Sequence, residues 1–91
     1  MLDIKKIRQQ FPALGLKDDG KQRIYLDNPG GTQVPQQVLD RIERYLIHTN
    51  ANHGGPFRTS IESDEVLEKA HSGIANFLNA NSSDEIIFGA N

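Results

Sequence analysis

The chain has 91 residues, 10 basic and 12 acidic, with a formal net charge of -2; 36% of residues are hydrophobic and 24% charged. That leaves room for one small domain or a piece of a larger one, with a modest core and more apolar content than a disordered chain carries. There is no cysteine, which excludes disulfides, thiolate metal sites and cysteine nucleophiles. No basic cluster exceeds Lys5-Lys6, so nucleic acid and anionic membranes are not expected partners. The apolar runs are too short for a transmembrane helix. Residues 1–10 lack the apolar centre of a signal peptide, so a cytoplasmic location is the default expectation.

In chain order, Ile4, Ile7, Phe11 and Leu14 recur at spacings of three and four, which predicts a short amphipathic helix over residues 3–11 with Asp3 as N-cap and Pro12 ending it. Lys17-Asp18-Asp19-Gly20-Lys21 reads as a polar turn in which Gly20 can take positive φ. Residues 23–27 read as a short strand, with Ile24 and Leu26 on one face and Tyr25 on the other. Pro35 suits a first helical turn, and Val38, Leu39, Ile42, Tyr45 and Leu46 form the stripe of a helix over 35–48. Asp40 and Arg44 make an i,i+4 pair on its outer face.

A second glycine-proline loop, residues 50–56, follows. A third helix, residues 62–78, begins after a cap at Ser60 or Ser63, with Glu62, Asp64 and Glu65 in its first turn. Its stripe is Val66, Leu67, Ala70, Ile74, Phe77 and Leu78. Residues 79–84 break it, and residues 85–89 read as a buried strand. Two short strands make a marginal sheet, so the pattern reads as the opening of a larger α/β protein.

The connection Asp27-Asn28-Pro29-Gly30-Gly31-Thr32 carries the densest backbone chemistry. It lacks both the phosphate-loop and the dinucleotide-binding glycine spacings. Two readings stay open: a structural turn, or a close approach to a small anionic ligand through glycine N–H groups. Asp27 fits either a catalytic carboxylate or a cap of the turn. The histidines His48, His53 and His71 match no zinc or iron spacing, so no metal is expected. His53, between Asn52 and Gly54, is the one placed for a site role.

Phe11-Pro12-Ala13-Leu14, Ile24-Tyr25-Leu26-Asp27-Asn28 with its small-residue pair, and Gln33-Val34-Pro35 opening a helix resemble the start of cysteine desulfurases. These are class V aminotransferases, within the fold-type I pyridoxal-phosphate enzymes. The likeness continues through Asn50-Ala51-Asn52, Phe77-Leu78-Asn79-Ala80 and Asp84-Glu85-Ile86-Ile87-Phe88, and so covers essentially the whole chain.

The resemblance implies a mainly α segment with two short strands, belonging to an α/β fold-type I pyridoxal-phosphate-dependent transferase. It implies that Asn28, Gly30, Gly31 and Thr32 line the position of an amino-acid substrate. Pro29-Gly30-Gly31 departs from the family's usual small pair. The family's Asn-x-x-His-Arg-Gly loop, which reaches toward the partner subunit's site, stands here as residues 52–58, with His53 and Arg58 shifted in position. Both are carried over as substrate-binding candidates. Asn91 falls where the family's cofactor-phosphate turn begins, which implies a cofactor-binding place at a helix N-terminus.

The resemblance further implies pyridoxal 5'-phosphate as cofactor and a homodimeric parent. The family's lysine attachment site, pyridine-nitrogen aspartate and stacked histidine lie well downstream. No catalytic residue is therefore expected within residues 1–91, and the segment alone is expected to be inert and to self-associate through unpaired strand edges. Sulfur removal from cysteine or a related amino acid is the leading function. The alternatives are an aminotransferase or β-eliminating lyase of the same family, or a small non-catalytic helical interaction domain.

Overall fold

A computed structural model of the chain describes residues 1–90. They divide into two compact units, the first Met1–Arg44 and the second beginning at Tyr45. The described residues are mainly helical, with one two-stranded antiparallel sheet, the fold class that the sequence implies for a segment of a fold-type I enzyme. No helix among them is long and apolar enough to cross a membrane.

In the first unit, helix α1 (Ile4–Gln9) starts where Asp3 accepts the Lys6 N–H at 3.0 Å through its carboxylate. That satisfies one of the N–H groups a helix start leaves free. The helix tightens out through Gln10 N–H to Ile7 and Phe11 N–H to Arg8, and Pro12 opens a 3-10 turn, Pro12–Gly15. It thus stops two residues short of the expected residue 11, because Pro12 offers no N–H to extend the ladder.

The polar turn is the tip of a hairpin. Strand β1 (Lys17–Asp18) pairs with β2 (Lys21–Gln22), Lys17 opposite Gln22 and Asp18 opposite Lys21. Asp19 and Gly20 both have positive φ, 49° and 78°, as a two-residue primed turn requires. Arg23 clamps the hairpin through two bonds to the Asp18 carboxylate, at 2.7 and 2.9 Å. Asp18 in turn is held ionised below the usual carboxylate range by the Arg23 bond.

No strand forms at residues 23–27 or 85–89 among the described residues. Arg23 N–H still reaches the Leu16 carbonyl at 3.2 Å, and the Tyr25 hydroxyl donates to the Ala13 carbonyl at 3.2 Å. Ile86 is extended (φ -94°, ψ 123°) but unpaired, following a 3-10 turn at Ser83–Glu85. Both segments have strand-like sequences and no second ladder beside them; a strand exists only by pairing.

Helix α2 (Gln36–His48) begins where the Gln36 N–H donates to the Gln10 carbonyl at 2.8 Å. Helix α3 (Arg58–Leu78) begins four residues before the expected 62. Ser60 and Ser63 are therefore not caps but interior helical residues, 0% and 2% exposed. Glu62, Asp64 and Glu65 fall beyond the first turn, which contains no acid. Phe57, extended at φ -96° and ψ 157°, stands at the N-cap without a side-chain bond. The helix ends in a left-handed Asn79, φ 56°. Asn79 N–H donates to Asn76 and Ala80 N–H to Ala75, at 3.2 and 2.9 Å, the paired bonds of a Schellman ending.

Packing inverts the ordinary order. Among the described residues Ala75 is the one buried apolar residue, and the other two buried residues are the serines. The predicted stripes exist but lie open: Leu39 and Ile42 on α2, Leu67 and Phe77 on α3, and Ile87 beyond it are all exposed.

Candidate functional site

The first candidate is the turn after residue 26. Asp27 shapes it: its carbonyl and its carboxylate both accept the Gly30 N–H, at 3.2 and 3.3 Å. The Asn28 carbonyl takes the Gly31 N–H at 3.1 Å and the Thr32 hydroxyl at 3.4 Å. A Cβ at position 30 would stand 2.5 Å from Asp27 Oδ2. Glycine is needed there so that the aspartate can fold over the turn. At Gly31 nothing lies within 4 Å of such a Cβ, so only that position leaves open space.

Asp27 thus caps the turn through both its carbonyl and its carboxylate. The same geometry tests the turn against a phosphate. The N–H groups of both glycines are engaged within the turn, and a carboxylate lies beside them. An anionic phosphate does not fit there, because it would meet a like charge and find no free glycine donor. Asn91, the residue placed at the cofactor phosphate, lies outside the described residues.

The second candidate is the loop before α3, in the second unit. Two α3 residues grip it. Ser60 Oγ accepts the Gly55 N–H at 2.8 Å and donates to the Asn52 carbonyl. Asp64 accepts from His53 Nδ1 at 2.7 Å with one oxygen and from the Gly54 N–H at 3.1 Å with the other. The hydrogen bond from His53, reinforced by that from Gly54, holds the Asp64 carboxyl below its ordinary range. Gly54 sits at φ 76°, a conformation costly for residues with a side chain. At Gly55 a Cβ would approach Phe57 Cε1 to 2.5 Å and Ser60 Oγ to 3.0 Å. The loop thus needs glycine at both places, one for backbone angle and one for space.

His53 lines a cleft of about 700 Å³ together with Asp64, Leu67, Glu68, His71 and Asp84. Asp64, Glu68 and His71 follow one another at helical spacings of four and three along one face of α3. The ring of His71 meets Phe88 edge-on, centroids 4.7 Å apart. Among the described residues no three histidine, aspartate or glutamate side chains converge as metal ligands. Arg58 does not join His53. It bonds Glu62 at 2.7 Å through Nε, which keeps its guanidinium firmly protonated, and its side chain is otherwise exposed.

Of the six described substrate-site candidates, Asn28, Gly30, Gly31 and Thr32 share the turn of the first unit, while His53 and Arg58 belong to the second, each with its own carboxylate. Sequence reasoning missed Asp64, Ser60 and the Tyr45–Ser63 hydroxyl pair at 2.8 Å. The available signal was that Ser60 and Ser63 continue the stripe of α3 at spacings of three and four, through 67, 70 and 74, which puts two hydroxyls on the face whose other members are apolar.

Comparison with known proteins gives a consistent result. The aminotransferase class-V family profile matches residues 24–91. Over 93 aligned positions the chain is 41% identical to a probable cysteine desulfurase of Streptomyces coelicolor, covering 100% of this chain and 22% of that protein. A cysteine desulfurase of Synechococcus elongatus is 36% identical over 94% of this chain and 14% of its own length. An aminotransferase-like protein of Gibberella zeae is 40% identical over 96% of this chain and 21% of its own. The chain therefore spans less than a quarter of the length of these relatives.

Proposed function

The chain belongs to the class-V aminotransferase family, and from that footing we propose that it serves as the N-terminal segment of a pyridoxal-phosphate-dependent, cysteine desulfurase-like enzyme. The observation that carries this is the end-to-end likeness to a probable cysteine desulfurase, at 41% identity. The open apolar faces of α2 and α3 support it as well: a segment whose described residues bury one apolar side chain has its core completed by further polypeptide.

In this reading the cofactor supplies the electron sink for chemistry at the amino acid's α-carbon, and its attachment lies in other parts of the enzyme. Residues of this segment hold the substrate side. Gly31 leaves space beside Asn28 and Thr32, the exposed Arg58 guanidinium offers donors to a substrate carboxylate, and His53 offers a ring nitrogen. Asn91 is assigned to the cofactor phosphate, and the working enzyme is a homodimer. The likeness to an aminotransferase-like protein keeps transamination as the second reading.

The full-length polypeptide decides between them. A visible absorption band abolished by borohydride is expected from the lysine-bound cofactor, and sulfide release from cysteine is expected of a desulfurase. A band without sulfide, but with amino transfer to a keto acid, would replace the first reading by the second; no band at all would end both. The 91-residue segment mixed with cofactor and cysteine is expected to release no sulfide.

A further inference from the structure

The His53–Asp64 pair has a chemical consequence beyond holding a loop. An ionised carboxylate has no proton to give, so the 2.7 Å contact at Nδ1 requires the hydrogen to sit on the ring. A neutral His53 is thereby fixed as the Nδ1–H tautomer, with Nε2 left as an acceptor. The Gly54 N–H on the second oxygen of Asp64 fixes the carboxylate's own orientation. Ser60 ties the flanking residues Asn52 and Gly55 to the same helix. The imidazole is thus held at its ring nitrogen and the backbone on either side of His53 is tied to α3, while the His53 side chain remains 84% exposed.

The surroundings select the ligand's charge. The cleft that His53 lines counts three acidic residues, Asp64, Glu68 and Asp84, among its lining, together with His71 and no lysine or arginine. That field favours a cationic donor over an anion. We propose that Asp64 is a positioning residue, fixing His53 so that Nε2 accepts a hydrogen bond from the ammonium group of the amino-acid substrate. The inference rests on the reading of the chain as part of an amino-acid-processing enzyme, and it adds the atom and the group that meet there.

Asp64→Asn separates this from a merely structural part. The asparagine carbonyl keeps the Gly54 bond, while its amide donates to Nδ1 and forces the hydrogen onto Nε2, turning the acceptor into a donor. In the full-length polypeptide, long-range proton–nitrogen NMR of His53 is expected to show Nδ1–H in the wild type and Nε2–H in Asp64→Asn. With cysteine as probe, kcat/KM is expected to fall about 10- to 100-fold, mostly through KM, the loss of one charge-assisted hydrogen bond. His53→Ala, at an exposed position that leaves the fold intact, is expected to lose the same amount, and the double variant no more than either single one. A tautomer unchanged in Asp64→Asn, an unchanged kcat/KM, or additive losses in the double variant would each overturn the proposal. Failure of the wild type to release sulfide from cysteine would instead remove the enzyme reading and this inference with it.

Discussion

Ser60→Ala tests how the loop before α3 is held. Ser60 is completely buried, and its hydroxyl serves two backbone groups, the Gly55 N–H and the Asn52 carbonyl. Asn52 is exposed and Gly55 only half-buried. Water can therefore replace the bond to Asn52, at a cost of about 0.5 kcal/mol, while the Gly55 donor loses a partner that solvent replaces poorly, about 1–1.5 kcal/mol. The sum is about 2 kcal/mol, little of it from packing because only one oxygen is removed. If the loop opens locally, as short segments held by few contacts do, the Gly55 amide should exchange with solvent about 10- to 30-fold faster in the variant. Hydrogen exchange read at single residues in the full-length polypeptide measures this directly. Thr59→Ala, one residue earlier and exposed, is the control and should leave Gly55 unchanged. Equal Gly55 protection in Ser60→Ala and wild type would show that the serine does not hold the loop.

Three further outcomes follow from the same local structure. The folded pKa of Asp64 lies below its unfolded value, so its grip on His53 and Gly54 is present at neutral pH. It is lost as pH falls from about 4 through the folded pKa; a carboxyl-carbon NMR titration should place its midpoint below that of free aspartate, and His53→Ala should raise it. Gly55→Ala forces a methyl against Phe57 and Ser60 and should cost about 1–3 kcal/mol, read as a lower denaturation midpoint at unchanged slope. Asn79→Ala puts a Cβ-bearing residue without a local polar side chain at φ 56° and should cost about 1 kcal/mol, whereas Asn79→Gly should not destabilise; a loss equal in both would refute the role assigned to the left-handed cap.

Local chemistry was legible in the residues themselves. Asp3 caps α1 as its position predicts, and the apolar stripes mark α2 and α3. Asp19-Gly20 makes a turn because two adjacent residues there tolerate positive φ. The turn at 27–32 was visible from its glycines, although the occupant of the space at Gly30 was not: it is the chain's own Asp27. Ser60 and Ser63 misled because a serine before an apolar run looks the same whether it caps a helix or is buried within one. What distinguishes the two is a partner eight or eighteen residues away, Asn52 or Tyr45.

By itself, then, the sequence determined the family, the helices and the turn at Asp19-Gly20, because each depends on composition or on neighbours within a few positions. Tertiary structure decided which strand-like segments found a ladder, which serines turned inward, and that Asp64 would take His53 and Gly54. Those outcomes depend on pairing between groups far apart in the chain. A hydrogen bond across ten residues leaves no periodic mark, so it is fixed only when the loop folds back onto the helix.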